Sequence, residues 1–397
     1  MSRREGVAIV GTGMTDMGRR DMSAQAMAEQ AVHEALDDAG IEPEQLSLVV
    51  VSNATGARLC DQGCIRAQSW LRKGGLGSVP MINVDNSCAG GASATHLGAM
   101  AVRSEEAPVL VVGVEKMWTG DRAATMAAIE DGLPADYRAD MHARFEPEHN
   151  PGGSILMGLN DRWARECMEQ HGATLEQFAA AAAKARRQAS WNPLAQVQQP
   201  ATIAEVLESP KVAGVLTRLM CSSFTDGAAA LVLAPPSGAG ARAPRIISSV
   251  ARSGNGQMDY HDRLADTAAA TWEASGLGPN DFDMVELHDA TSPEEIYALE
   301  SLGLFGLGEA GPATLAGDTA IGGRGLTVNP SGGLVGRGHP LGATGIAQLV
   351  ELATQLRGRA GRRQVEGARM ALAVNTGGVV EGDAAYVGVH ALAAAGS

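Results

Sequence analysis

Aromatic side chains are scarce in this 397-residue chain, where Phe, Trp and Tyr together make up 4% of the residues. A core built with so few rings must be filled by small and aliphatic groups, and the abundant Ala, Gly and Val suit tightly packed α/β layers. Cysteine is also rare: the five present are unevenly spaced and form no disulfide framework. No apolar run reaches the roughly 18 residues that a membrane helix needs, and Ser2-Arg3-Arg4-Glu5 lacks the apolar start of a secretory signal. The chain is therefore expected to be soluble and cytoplasmic, with no membrane partner. Positive charge is outnumbered, 31 Lys and Arg against 45 Asp and Glu, and the resulting −14 excludes the basic surface that nucleic-acid binding requires. The basic clusters Lys184 to Arg187 and Arg357 to Arg363 read as solvated helix ends, with a nucleotide 3′-phosphate as the other use.

Strand and helix patterns alternate, and their order runs twice. Val7 to Val10, Leu48 to Val51, Ile82 to Val84 and Val109 to Val112 read as strands, with a helix ending at Ala39-Gly40. After the linker at 234–240 the series restarts at Arg245-Ile246-Ile247, continues through Met284 to Leu287 and Leu326 to Val328, and reaches a helix from Ile346 to Leu356 and a strand from Met370 to Val374. Such alternation calls for parallel-rich sheets with helices on their faces. Residues 118–215 are extra in the first half, and an insertion that long is usually a lid or a binding loop. The fragment Gly11-Thr12-Gly13-Met14 lacks the third glycine of a dinucleotide fingerprint, so no nicotinamide site is expected.

Cys88 lies in Val84-Asp85-Asn86-Ser87-Cys88-Ala89-Gly90-Gly91, at the start of a helical pattern. A helix N-terminus favours thiolate over thiol and offers N–H donors to an oxyanion, and the neighbouring glycines leave room for an acyl group. The alternative is a buried cysteine that fills a gap. His288 follows the strand at Met284, and His339 stands in Gly338-His339-Pro340-Leu341-Gly342-Ala343-Thr344-Gly345. If the two halves face each other, both imidazoles reach one cleft with the thiol. One imidazole would then accept the thiol proton and the other would donate to a developing enolate oxygen. Cys60 and Cys64 lack the further ligands of a zinc site and read as core or pocket thiols, and Cys167 and Cys221 read as packing residues. No metal is expected in this chain.

With these residues the chain resembles the thiolase superfamily, and within it the sterol carrier protein-type (lipid-transfer-protein) thiolases. Asn86 to Gly91, Asn192 to Gln196, Thr225 to Ala229 and Asn329-Pro330-Ser331-Gly332-Gly333 through Gly345 carry the resemblance. It implies an α/β thiolase fold: duplicated βαβαβαββ halves in a five-layer α/β/α/β/α core, usually as a homodimer. It divides the chain into an N-terminal half at 1–117 and 216–236, a loop domain at 118–215 over the coenzyme A site, and a C-terminal half at 241–397. It makes Cys88 the acylated nucleophile, His339 its activator and His288 part of the enolate oxyanion hole. The N–H groups of Cys88 and of the turn near Gly378 would form a second hole. Coenzyme A is the implied co-substrate and an acyl-CoA the implied substrate.

Two departures qualify the resemblance. Ala290 replaces the cysteine of the family's His-Asp-Cys-Phe motif, and Asn375-Thr376-Gly377-Gly378 stands where many thiolases carry their other cysteine. The expected activity is retro-Claisen cleavage of a β-ketoacyl-CoA, or its reverse, through an acyl-Cys88 thioester; water, His288 or a substrate carboxylate would then have to move the α-proton. The alternative is a retro-aldol carbon–carbon lyase on a bulky β-hydroxyacyl-CoA with a steroid-type side chain, using Tyr260 or Tyr297 and a small zinc-ribbon/OB-fold partner. Ala290-Thr291 is expected to widen and polarise the pocket floor.

Overall fold

A computed structural model describes residues 6–145, 154–240 and 242–396. The first half contributes strands β1 (Val7–Met14), β2 (Leu48–Ser52), β3 (Met81–Val84), β4 (Val109–Glu115) and β5 (Gly227–Ala234). The second contributes β6 (Arg245–Ser253), β7 (Met284–Glu286), β8 (Thr327–Val328), β9 (Met370–Val380) and β10 (Asp383–Ala393). Both halves have the same strand order: β3-β2-β4-β5-β1 is matched by β8-β7-β9-β10-β6. In each, three strands run parallel and the last two antiparallel. The sheets touch edge to edge only where Val7 and Ala8 of β1 pair with Ile246 and Arg245 of β6.

Two helices, α2 (Gly90–Glu105) and α7 (Leu341–Leu356), lie between the sheets as the central layer; α1 (Ala24–Ala39) covers the outer face of the first sheet and α5 (Tyr260–Ser275) that of the second. The expected duplicated, five-layer core is therefore present. Period-two alternation explains why β4 has no polar face: Val109 and Val111 pack toward the central helices, while Leu110, Val112 and Val114 pack toward α1. Gly91 and Gly345 are where α2 and α7 cross, and a Cβ on Gly91 would lie 2.9 Å from the backbone nitrogens of both Gly345 and Ile346. Gly91 thus serves the helix crossing, and Gly90 the close packing of α2 on Ser52 of β2.

The segment between β4 and β5 includes α3 (Ile155–His171) and α4 (Leu175–Ala189). It packs on the opposite half of the molecule: Leu159, Trp163 and Phe178 share one core with Leu287, Ile296 and Tyr297, the last two from α6 (Ser292–Ser301). Of the two basic clusters, Lys184 is buried on Glu295 at 2.6 Å, Arg357 pairs with Asp38 at 2.6 Å and Arg363 with Glu351 at 2.8 Å. These cations are held in ion pairs and are not solvated helix ends. Among the described residues no helix is long and apolar enough to cross a membrane.

Candidate active site

Strand ends from both halves open onto a cavity of about 710 Å³. Cys88, His288, His339 and Gly378 all line it, and the thiol sulfur and the imidazole nitrogens of the first three lie within 4.8 Å of one another. The two rings meet edge to face, with centroids 5.1 Å apart and planes at 84°. The three groups singled out in the sequence therefore converge, although 200 residues of chain separate Cys88 from His288.

Cys88 sits one residue before Ala89, the N-cap of α2. Ser87 adopts the left-handed region (φ 51), and the turn closes with Ala89 N–H donating to the Asn86 carbonyl and Gly90 N–H to that of Ser87. Two of the N–H groups that the helix N-terminus would offer an anion are thus already engaged. Burial pushes the thiol up to about 12, with the Glu115 carboxylate adding to it; the Ser87 hydroxyl and the cysteine's own N–H oppose. The expectation of a dipole-stabilised thiolate is not met, because desolvation dominates. At neutral pH the resting group is a thiol that needs a base.

His339 is set up as that base. The Thr344 hydroxyl donates to the Pro340 carbonyl at 3.1 Å, which leaves its oxygen to accept from His339 Nδ1–H at 2.8 Å. The proton is thereby fixed on Nδ1, and the Nε2 lone pair is free. Burial, with His288 and Arg337 adding repulsion, holds this imidazole well below the ordinary 6.5, so it stays neutral. Its main-chain N–H donates to Thr225 Oγ1 at 2.9 Å, and Thr225 in turn donates to Gln196 at 2.6 Å.

His288 has the opposite tautomer. Asn375 Nδ2 donates to its Nδ1 at 3.0 Å, which places the ring hydrogen on Nε2 as a donor. Burial pushes this imidazole down to about 3. One ring accepts a proton while its neighbour donates a hydrogen bond, the division of labour that thioester chemistry requires.

Other residues were not foreseen from the sequence. Buried Glu115 accepts from Ala54, Thr55 and Asn53 and from Gly342 N–H at 3.2 Å, so it ties the loop after β2 to the start of α7. A Cβ at position 345 would approach Asn375 Oδ1 to 2.4 Å, so Gly345 makes room for the residue that orients His288. The cavity wall is mixed: Met117, Trp118, Ile129, Met157 and Trp163 line it together with the cations Arg122, Lys211 and Arg218. No short motif marks those three. Ala290 lines the cavity, but Thr291 is turned away and donates to Asn160 at 2.8 Å, so only half of the expected floor change faces the ligand. Tyr260 reaches the cavity, whereas Tyr297 is absent from its lining and stacks on His261 at 3.4 Å. Cys221 lines the cavity as well as packing in the core, Cys60 is partly buried beside α1, and Cys64 is exposed rather than a pocket thiol.

Residues 7–237 match the thiolase N-terminal domain and residues 255–388 the thiolase C-terminal domain-like family. Sterol carrier protein 2 of Homo sapiens is 34% identical over 391 residues, covering 94% of this chain and 70% of that protein. The acetyl-CoA acetyltransferase of Methanothermobacter thermautotrophicus is 36% identical over 384 residues, covering 94% and 96%. The benzoylsuccinyl-CoA thiolase subunit BbsB of Thauera aromatica is 33% identical over 391 residues, covering 94% of each. Among solved structures, an Ltp2-ChsH2(DUF35) aldolase superposes with a TM-score of 0.78 over 99% of both chains at 23% identity, a likeness of fold. The chain belongs to the thiolase family of acyltransferase enzymes, whose members use coenzyme A as co-substrate.

Proposed function

We propose that this thiolase-family chain cleaves a β-ketoacyl-CoA by retro-Claisen chemistry, or runs the reverse condensation, through an acyl-Cys88 thioester. The observation that carries the reading is the pair of complementary tautomers around one thiol. His339 Nε2 takes the Cys88 proton, the sulfur attacks the keto carbonyl, and His288 Nε2–H stabilises the enolate that leaves. The N–H groups of Cys88 and Gly378 would hold the other oxyanion. Gly378 has a left-handed φ of 68, a backbone position suited to glycine at the cavity wall. Residues 118–215 would cover coenzyme A, and Arg122, Lys211 and Arg218 suit its phosphates. The apolar side chains Met117, Trp118, Ile129, Met157 and Trp163 on the wall suit an acyl group. A cytoplasmic location and a homodimer belong to the same reading.

The second reading is the retro-aldol lyase, supported by the loss of both further thiols at Ala290 and Asn375. The relative from Thauera aromatica is named as a subunit and the solved aldolase as an Ltp2-ChsH2(DUF35) pair, which supports a small zinc-ribbon/OB-fold partner for this chain too. The experiment that separates the readings is intact-protein mass spectrometry after mixing with a panel of β-ketoacyl- and β-hydroxyacyl-CoA thioesters. Acyl adducts on Cys88 that vanish in Cys88→Ala and discharge to free CoA support the transferase. Release of an aldehyde or ketone with no adduct and no CoA consumed supports the lyase.

A further inference from the structure

The thioester mechanism leaves one step without an agent. The enolate released by carbon–carbon cleavage must gain a proton at its α-carbon, and neither Ala290 nor Asn375 can provide one. His339 already holds the Cys88 proton, and His288 is committed to the enolate oxygen through Nε2–H. Beside the cations Arg122, Lys211 and Arg218, three further titratable groups line the wall, Cys221, Glu294 and Tyr260, and the Cys221 thiol is directed at the Thr217 carbonyl, 3.4 Å away. Glu294 lies 3.3 Å from His261 Nε2, and His261 is raised above its ordinary value by Glu294 and Asp259 against the opposing effect of burial. The Glu294 carboxylate is thus engaged by the His261 ring rather than free on the wall.

Tyr260 differs in every respect. It is the first residue of α5, with its ring stacked on Trp163 at 4.3 Å. Its hydroxyl lies 2.5 Å from Thr376 Oγ1. Thr376 neighbours both Asn375, which orients His288, and Gly377, where a Cβ would lie 2.3 Å from Ala89 N and 2.5 Å from the Asn86 carbonyl oxygen of the turn that carries Cys88. Burial, reinforced by the Glu294 carboxylate, holds the phenol well above 10, so it retains its proton at neutral pH.

We propose that Tyr260 is the second acid–base residue of this enzyme, carrying protons between the substrate α-carbon and the coenzyme A thiol. The inference rests on the retro-Claisen reading. The Cys88 sulfur bonds to the keto carbon as the Cα–Cβ bond breaks, and its proton passes to His339. The electron pair becomes a thioester enolate, which takes the Tyr260 proton at its α-carbon. The phenolate then removes the proton of the incoming coenzyme A thiol, whose sulfur attacks the acyl-Cys88 carbonyl. Cys88 leaves as thiolate and recovers its proton from His339. One β-ketoacyl-CoA and one coenzyme A become two acyl-CoA molecules.

The test compares Tyr260→Phe with wild type in single-turnover mass spectrometry, using acetoacetyl-CoA and, separately, acetyl-CoA. An enolate is a far poorer leaving group than a thiolate, so it depends more on the acid. Acetyl-Cys88 formation from acetoacetyl-CoA should fall about a hundredfold or more, while acetylation by acetyl-CoA stays within about tenfold of wild type. The retained acetylation also shows that the variant is folded. Unchanged cleavage, or an equal loss with both thioesters, overturns the proposal. A wild-type chain that neither thioester acylates overturns the retro-Claisen reading itself, and the proposal with it.

Discussion

Thr344 Oγ1 accepts a hydrogen bond from His339 Nδ1 at 2.8 Å while its own hydrogen goes to the Pro340 carbonyl. That single hydroxyl decides which nitrogen of the base faces the thiol. Thr344→Val should slow both iodoacetamide alkylation and acylation of Cys88 by about a hundredfold, because it frees the imidazole to take the unproductive tautomer. Thr344→Ser, which keeps the hydroxyl, should recover most of the rate. Alkylation kinetics at pH 7.5 measure both, and an unaffected Val variant would remove Thr344 from this role.

Asn375 acts on the other ring. Asn375→Ala should cost acyl transfer about a hundredfold, the magnitude associated with one oxyanion-hole donor. Alkylation by iodoacetamide, which builds no oxyanion, should proceed at the wild-type rate. A matching loss in both assays would mean that Asn375 supports the thiol rather than the hole.

The pH dependence has a definite sign. Activity requires His339 neutral and is lost on protonation; because burial and its charged neighbours hold this imidazole well below 6.5, the acid limb should lie at lower pH than for a free histidine. The rate of Cys88 acylation should therefore show no inflection near pH 6.5. A half-maximal rate at pH 6.5 with intact fold would contradict the downward shift of His339.

Gly91→Ala places a methyl group against backbone nitrogens of α7. Neither helix can yield without moving the Cys88 turn or the Thr344 turn, so the variant should lose about 1–3 kcal/mol of stability by denaturant unfolding. A substitution as stable as wild type would show that the crossing has slack.

A second copy of this chain would pair at the free edge of β3, where Ile82 is 42% exposed. An apolar edge strand is a template for pairing with a second copy. Ile82→Lys should convert a dimer to a monomer in light scattering; a wild-type monomer would refute the dimer, and a dimeric variant would place it elsewhere.

Much of this protein was legible along the chain. Hydrophobic periodicity marked the strands and their repetition, and local motifs marked Cys88, His288 and His339, because a strand end or a helix start is written in adjacent residues. Even the Thr344 contact spans only five positions. Less local properties were not legible. The ionisation of Cys88 depends on how much water burial removes and on Glu115, 27 residues away, and that balance reversed the expectation of a thiolate.

Residue types and their period suffice for the layer architecture and mark Cys88, His288 and His339 as candidate reacting groups. Their protonation states, tautomers and company come from packing. The Asn375 amide reaches His288 across 87 residues, and the Tyr260 hydroxyl reaches Thr376 across 116. Contacts of that span form only after two sheets and the helices between them have packed, and no local pattern encodes them.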